Sequence, residues 1–419
     1  MIISRSKLNQ YFFLIFLIGL SQGNSILQFA SIGVLGIFGL ILIKNQKIVF
    51  KRKDIFYLML IFLSFVQLLL FYKEDYSLNY IINSSISVIM WMLMFISSLL
   101  VVKLIRVLDK KKIENVLKWF FVINVLFMVI QYISLCIEHL TLIPFLTSMG
   151  AGDYVKGIFS NSSINMIINS FYLIYFVYLK EKAHTFFALL GMLFTTYMSG
   201  IVLFTGVVLL FAFLYLPLRL KGRLIVGAVS GIIMFSILSP NNARYVKMTI
   251  TKKLFAKSDQ ARKIISFEQT ASQLTSSFPN FFIGSGGGKF SSRTAFMTGG
   301  EYVGWYPKRF IYLSSEFKKN HFQLWNIKTL SIPYKDGTAN QPFSFYNKIF
   351  GEYGVIGFSF FILFYLYSVF KNYKKLTYAK LIVLLMLTYF ILDYWFEYFT
   401  VIVFFEIFLF LDLKKEINE

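Results

Sequence analysis

Apolar runs of membrane-crossing length alternate with short basic connections along the chain, and one polar stretch at residues 240–345 breaks the rhythm. A helix spans a bilayer with roughly 20 apolar residues, and runs near 17 suffice. On that measure the pattern predicts nine spans before the break: Gln10–Gln22, Ile26–Ile43, Asp54–Tyr72, Asn79–Ile105, Val116–Ile137, Ser163–Leu179, His184–Ser199, Ile201–Leu218 and Arg223–Leu238. Three more follow it: Asn347–Phe370, Ala379–Leu392 and Trp395–Leu413. The first run sits behind Arg5 and Lys7 and imitates a signal peptide, but is read as a short first helix. The expected fold is therefore all-α: a polytopic bundle of about twelve spans with one large, partly helical loop. It divides into an N-terminal bundle (1–239), the loop (240–345) and a C-terminal group of three helices (346–419).

Positive charge orients the pattern. Arg5 and Lys7, Lys44 to Lys53, Lys103 to Lys112, Lys180 and Lys182, Arg219 to Arg223, Lys371 to Lys380, and Lys414 with Lys415 all fall at termini or even-numbered connections. The odd short connections carry only Lys73 and Lys156. Both termini are thus expected in the cytoplasm and the long loop outside it. The same rule splits Leu381–Leu413 into two spans, because Lys380 and Lys414 belong on one side, and puts Asp393 and Glu397 near the outer turn.

Composition agrees with a membrane protein: 57% of the 419 residues are apolar and only 15% charged. The net charge of +22 is then largely an orientation signal, and no nucleic-acid partner is expected. The 50 Phe and 26 Tyr read as lipid-facing and interfacial rings. A single cysteine, Cys136, excludes a disulfide framework, and the three histidines are too dispersed for a zinc motif. The loop itself carries fifteen Lys/Arg against five Asp/Glu. Long loops cross a membrane regardless of charge, so this excess points to anionic headgroups or to a phosphate-bearing substrate.

Within the loop, Ile264, Ile265, Phe267, Ala271 and Leu274 predict an amphipathic helix after Arg262. A Pro279-Asn280 break follows, then glycines at 284, 286, 287 and 288, a composition that lets backbone N–H groups crowd an anion or simply makes a turn. It is not a Walker A loop, since Ile283 and Phe290 stand where Gly and Ser/Thr are required. Further on, FSFYNKIFGEYGVIGFSF leads from the loop into the tenth span. Lys348 and Glu352, four apart there, are expected to pair on one helix face. Glu406 is the one clear acid inside a span, with no evident membrane partner, which argues against an ion-coupled carrier.

The order of these features resembles the O-antigen polymerase (Wzy) and O-antigen ligase superfamily of membrane glycosyltransferases. The resemblance rests on the loop helix beginning at Arg262, the glycine turn ending in Phe290, and the entry to the tenth span with Glu352, Gly354 and Gly357. Asn161, in GIFSNSSIN, is similar to the family's Asn-containing entry to a mid-chain helix. The resemblance implies a GT-C-like bundle in a bacterial cytoplasmic membrane. Its substrate would be an undecaprenyl-diphosphate-linked oligosaccharide, transferred outside the cytoplasm onto another lipid-linked repeat unit, as in O-antigen or capsule synthesis. It implies no metal and no cofactor. Membrane lipid and a chain-length regulator are the implied partners. Arg262 stands in the family's loop-arginine position. Arg244, Lys289, Arg293 and Arg309 supply further cations for the diphosphate, beside Gly284, Gly286 and Asn161. Asn340, Gln341 or His321 would assist the acceptor hydroxyl. Two departures stand out. Ser199 is followed by Gly200 where the family often has arginine, and Asn340-Gln341-Pro342-Phe343 stands without a histidine where the ligases carry one before the tenth span, which counts against a ligase. A ligase-like transferase and a carrier of lipid-linked sugars are the alternatives.

Overall fold

The computed structural model describes residues 4–43, 48, 50–71, 77–146, 154–215, 217–253, 260–300, 303–331 and 341–414. Among these, every regular element is helical. The chain opens with α1 (Arg5–Leu20) and α2 (Ser25–Leu42), whose first turns are capped by the side chains of Ser4 and Asn24. α3 (Arg52–Phe71) and α4 (Leu78–Val107) follow, then α5 (Lys110–Glu138), α6 (Ser162–Leu179), α7 (Lys182–Phe194), α8 (Met198–Tyr215) and α9 (Leu218–Leu238). Short helices make up the next segment: α10 (Pro240–Met248), α11 (Arg262–Leu274), α12 (Phe278–Ile283), α13 (Arg293–Thr298), α14 (Ser315–Lys319), α15 (Phe322–Trp325) and α16 (Ile327–Leu330). The chain closes with α17 (Phe345–Phe360), α18 (Tyr367–Phe370), α19 (Ala379–Tyr389) and α20 (Phe399–Leu413).

Seven of the described helical stretches are long and apolar enough to cross a membrane: α2, α3, α4, α5, α6, α8 and the run Phe345–Lys375. α7 and α19 are apolar but shorter. α7 stops at Phe194, five residues before the expected end of its span, because Thr196 takes a left-handed φ of 52° that no helix continues. In the run from Phe345, the helix is broken at Gly354 and passes through a π turn at Phe361–Leu366 before α18.

Burial sorts the helices. α20 is apolar all round, and from Phe399 to Leu411 every residue is buried, as expected of a helix at a bundle's centre. α4 is its main partner, and α2, α5 and α8 lie outside with apolar side chains such as Phe38, Ile130 and Phe213 exposed. The middle is a nest of rings: Phe56, Tyr57, Trp91, Phe345, Phe361, Tyr365 and Phe396 meet at centroid distances from 4.7 to 6.5 Å.

Contacts fix the two ends of the bundle. Lys414 donates to the carbonyls of Ile105 and Leu108, so the ends of α20 and α4 meet. Lys118 pairs with Glu181 at the same end. The 260–331 segment is fastened at the other end, where α3 finishes and α4 and α17 begin. Glu406, expected to stand alone, is paired in the interior toward the Lys414 end: Lys53 Nζ lies 2.9 Å from its Oε2. Ser98 Oγ, Tyr57 and Tyr365 complete the shell around it. The charge pattern places Lys53 in the connection before α3. It instead turns inward from the first turn of α3 and, with Asp54 at 3.2 Å, forms a fully buried charge cluster.

Candidate functional site

The polar segment is stitched to the bundle by a backbone crossing. Gly284 has φ 72° and ψ −173°, and Gly354 has φ 60° and ψ −161°, a region open in practice only to glycine. A Cβ on Gly284 would stand 2.4 Å from the carbonyl carbon of Glu352, and one on Gly354 would stand 2.6 Å from that of Phe282. The glycines are there because two main chains pass at contact distance. Ser285 N–H donates to Gly351 O at 2.9 Å and Gly286 N–H to Glu352 O at 3.1 Å. Gln67 locks the crossing from α3: its Nε2 donates to the Ile283 and Glu352 carbonyls, and its Oε1 accepts from Gly287 N–H at 3.2 Å.

This arrangement uses the donors that a phosphate cradle would need. The N–H groups of Gly284, Ser285, Gly286, Gly287, Lys289 and Phe290 all end on protein acceptors, the last on Glu352 Oε1 at 3.1 Å. Gly284 and Gly286 therefore serve as the crossing itself, and any anion site here must be built from side chains.

Those side chains converge just beyond the turn. Arg293, at the start of α13, donates its backbone N–H to Glu397 Oε2 at 2.7 Å, Nη1 to Glu397 O and Nη2 to Gln28 Oε1. Lys348 Nζ lies 2.6 Å from Glu397 Oε1 and 4.0 Å from the centre of the Trp91 ring. The expected Lys348–Glu352 pair is thus replaced: Lys348 turns to Glu397, and Glu352 turns to the backbone of Phe290. The reason is that α17 meets two partners at once, the α19–α20 turn on one side and the glycine turn on the other. Lys263 enters from α11 and donates to Phe343 O and Leu392 O. Burial pushes its ammonium down, against the opposing pull of Asp393, whose carboxyl burial pushes up. Lys289 places Nζ 4.3 Å from the Tyr80 ring centre and 5.1 Å from that of Phe71. Lys263, Arg293 and Lys348 thus share one junction with Glu352, Asp393 and Glu397, and Lys289 lies on the glycine turn behind it, each less than a tenth exposed. Polar capacity remains inside it: Ser291 Oγ, Thr294 Oγ1, Glu352 Oε2 and Trp395 Nε1 are buried with no hydrogen-bond partner among the described residues.

The other sequence-predicted residues lie around this junction or away from it. Arg262 is half-buried at the start of α11 and donates Nη1 to Leu324 O at 3.2 Å, joining α11 to α15. Arg309 is exposed, and its carbonyl accepts from Asn79 at the start of α4. Arg244 is exposed on α10. Gln341 is half-buried ahead of α17, and Asn340 lies outside the described residues. Asn161 caps α6, accepting from Ile164 N–H at 2.8 Å. His321 is enclosed: its Nε2 is 3.0 Å from Ser266 O, its ring is 4.4 Å from that of Phe290, and burial pushes its imidazole down to about 3. A neutral ring with no exposed surface braces α11 and has no face to offer an acceptor hydroxyl.

The amphipathic helix expected after Arg262 is α11, and it packs through its polar stripe. Its buried residues are Lys263, Ser266 and Thr270, while Ile264, Ile265 and Phe267 remain partly exposed. The bundle surface beneath is polar, with Asn347 donating to Ser266 Oγ at 3.0 Å, so the polar stripe is the one that finds partners. The apolar stripe continues into α12, where Phe278 is 77% exposed. Gln67 and Glu397 were missed from the sequence. Gln67 had a signal, being a lone amide in the apolar run of α3.

Comparison with protein-family models, with curated proteins and with solved structures gives no match.

Proposed function

We propose that the protein is a polysaccharide polymerase of the outer face of a bacterial cytoplasmic membrane. In this reading it transfers a growing glycan from undecaprenyl diphosphate to the free end of a second lipid-linked repeat unit. The observation that supports it is the cationic junction: a basic segment does not hang free but is clamped by Gly284, Gly354 and Gln67. Lys263, Lys289, Arg293 and Lys348 are thereby gathered where the bundle ends. Breaking the glycosyl–phosphate bond leaves the diphosphate lipid with increased negative charge, and preorganised cations stabilise charge as it develops. Outside the cytoplasm no nucleotide sugar is at hand, so the donor must be carried by lipid. The half-exposed apolar stripe of α11 and α12 beside the junction suits an approach from the bilayer.

Arg262 stands at the rim, partly exposed, next in sequence to the buried Lys263. Its guanidinium is assigned to the diphosphate, which its planar fork fits bidentately. The test is reconstitution with a lipid-diphosphate-linked repeat unit and no nucleotide sugar. A ladder of lengthened glycans is expected, with Arg262→Ala losing it at least 100-fold while the melting temperature holds within a few degrees. Transfer only to a different acceptor lipid, movement across the bilayer without a new bond, or a ladder undiminished in Arg262→Ala would each overturn the assignment.

A further inference from the structure

At the end of the bundle away from the polar segment, a cavity of about 320 Å³ opens between the start of α3 and the last turns of α4 and α20. Lys51, Arg106 and Lys414 line it, with Val102, Phe410 and Leu413 as its apolar wall. Charge is poorly balanced there. Lys414 is committed, donating to the terminal carbonyls of α4 and so cancelling the negative end of that helix. Lys51 and Arg106 have no carboxylate within 4 Å among the described residues. Lys51 Nζ stands 3.3 Å from the centre of the Phe410 ring. Burial above all, with Lys53 and Arg106 adding to it and Glu406 and Asp54 opposing it, pushes the Lys51 ammonium down to about 8. The nearest acids, Asp54 and Glu406, are already engaged with Lys53.

We infer that this cavity binds the phosphate of an anionic glycerophospholipid, in the leaflet that the charge rule assigns to the cytoplasm. Arg106 and Lys51 hold the phosphate oxygens, the first through paired N–H donors and the second as a point charge. Val102, Phe410 and Leu413 line the path of the glycerol and the first acyl carbons. A soluble phosphate would gain nothing from that apolar wall. A nucleotide would need ring-stacking or base-reading groups, and none of the lining residues supplies a polar group other than the cations. Basic residues at a leaflet surface each attract anionic lipid by about 1 kcal/mol, so two unpaired cations in a pocket are expected to give selectivity of ten-fold or more. The site is independent of the glycan chemistry proposed at the far end.

The experiment is native mass spectrometry of the full chain, released from detergent in the presence of phosphatidylglycerol or phosphatidylcholine. One phosphatidylglycerol is expected to survive activation at ten-fold or greater excess over phosphatidylcholine. The preference should disappear in Lys51→Gln/Arg106→Gln and persist in Lys51→Arg/Arg106→Lys, with lipid-free melting temperatures compared to show that both fold. Equal retention of the two lipids overturns the inference. So does displacement of the lipid by millimolar inorganic phosphate, which assigns the site to a soluble anion. Phosphatidylglycerol binding that appears only after residues 415–419 are removed overturns it too, because the carboxylates of Glu416 and Glu419 would then be the occupant.

Discussion

Gln67 is the side chain on which the seating of the polar segment turns. One amide satisfies a donor and two carbonyls of two other chain segments, in a place that water does not reach. Gln67→Leu keeps the volume and strands Gly287 N–H, at a cost of about 1–3 kcal/mol by the usual penalty for an unmade buried hydrogen bond. The expected result is a lower melting temperature together with faster proteolysis within residues 260–300; unchanged proteolysis would show the turn to be held by other means. His321 makes a claim about pH. Its imidazole stays neutral in the folded protein down to about 3, whereas in the unfolded chain it protonates near 6.5. Protons then favour the unfolded state as pH falls below 6.5, so stability present above that pH is lost at about 1.4 kcal/mol per unit until the folded value is reached. The difference in melting temperature between wild type and His321→Gln should therefore shrink from pH 7 to pH 4.5. A constant difference would mean that the ring titrates normally. At this scale the sequence showed which residues were unusual, not which atoms they meet. Lys348 and Glu352 looked paired because four residues separate them. Glu397, 45 positions beyond Glu352, took the lysine instead, and no periodicity encodes that.

Among the elements, the crossing of α12 and α17 is the most exacting. Gly354→Ala puts a methyl group 2.6 Å from the Phe282 backbone and forces a residue with a side chain into a glycine-only conformation. Strain of that kind costs about 1–3 kcal/mol before the clash is counted. The variant is expected to melt well below wild type and to free the 260–331 segment to protease, while Gly231→Ala on α9, where an added methyl meets nothing within 4 Å, should do neither. If Gly354→Ala behaves like Gly231→Ala, the two main chains do not pass at contact distance. Sequence periodicity located α11 but does not say which of its faces packs inward. A 3.6-residue repeat reveals two faces, and in water the apolar one goes inward. Here the neighbour is a polar bundle end, where Lys263 and Ser266 find hydrogen bonds to Leu392 O and Asn347, while Thr270 meets His321.

For the molecule as a whole, apolar length was enough to read an all-helical chain with several helices able to cross a membrane. The buried ion clusters were not readable, because each is assembled from residues far apart: Lys53 with Glu406 at one end, Lys348 with Glu397 at the other. Such clusters do not announce themselves in composition, yet breaking one by removing a single partner costs about 3–5 kcal/mol. The proposed chemistry depends above all on sidedness, since lipid-linked donors are needed only where nucleotide sugars are not. The direct measurement is labelling by a membrane-impermeant maleimide in intact cells, with Cys136→Ser as background. Ser272→Cys, exposed on α11, is predicted to react in intact cells, and Lys111→Cys, exposed at the start of α5, only after permeabilisation. Labelling of Lys111→Cys but not Ser272→Cys in intact cells would place the cationic junction in the cytoplasm and contradict the account.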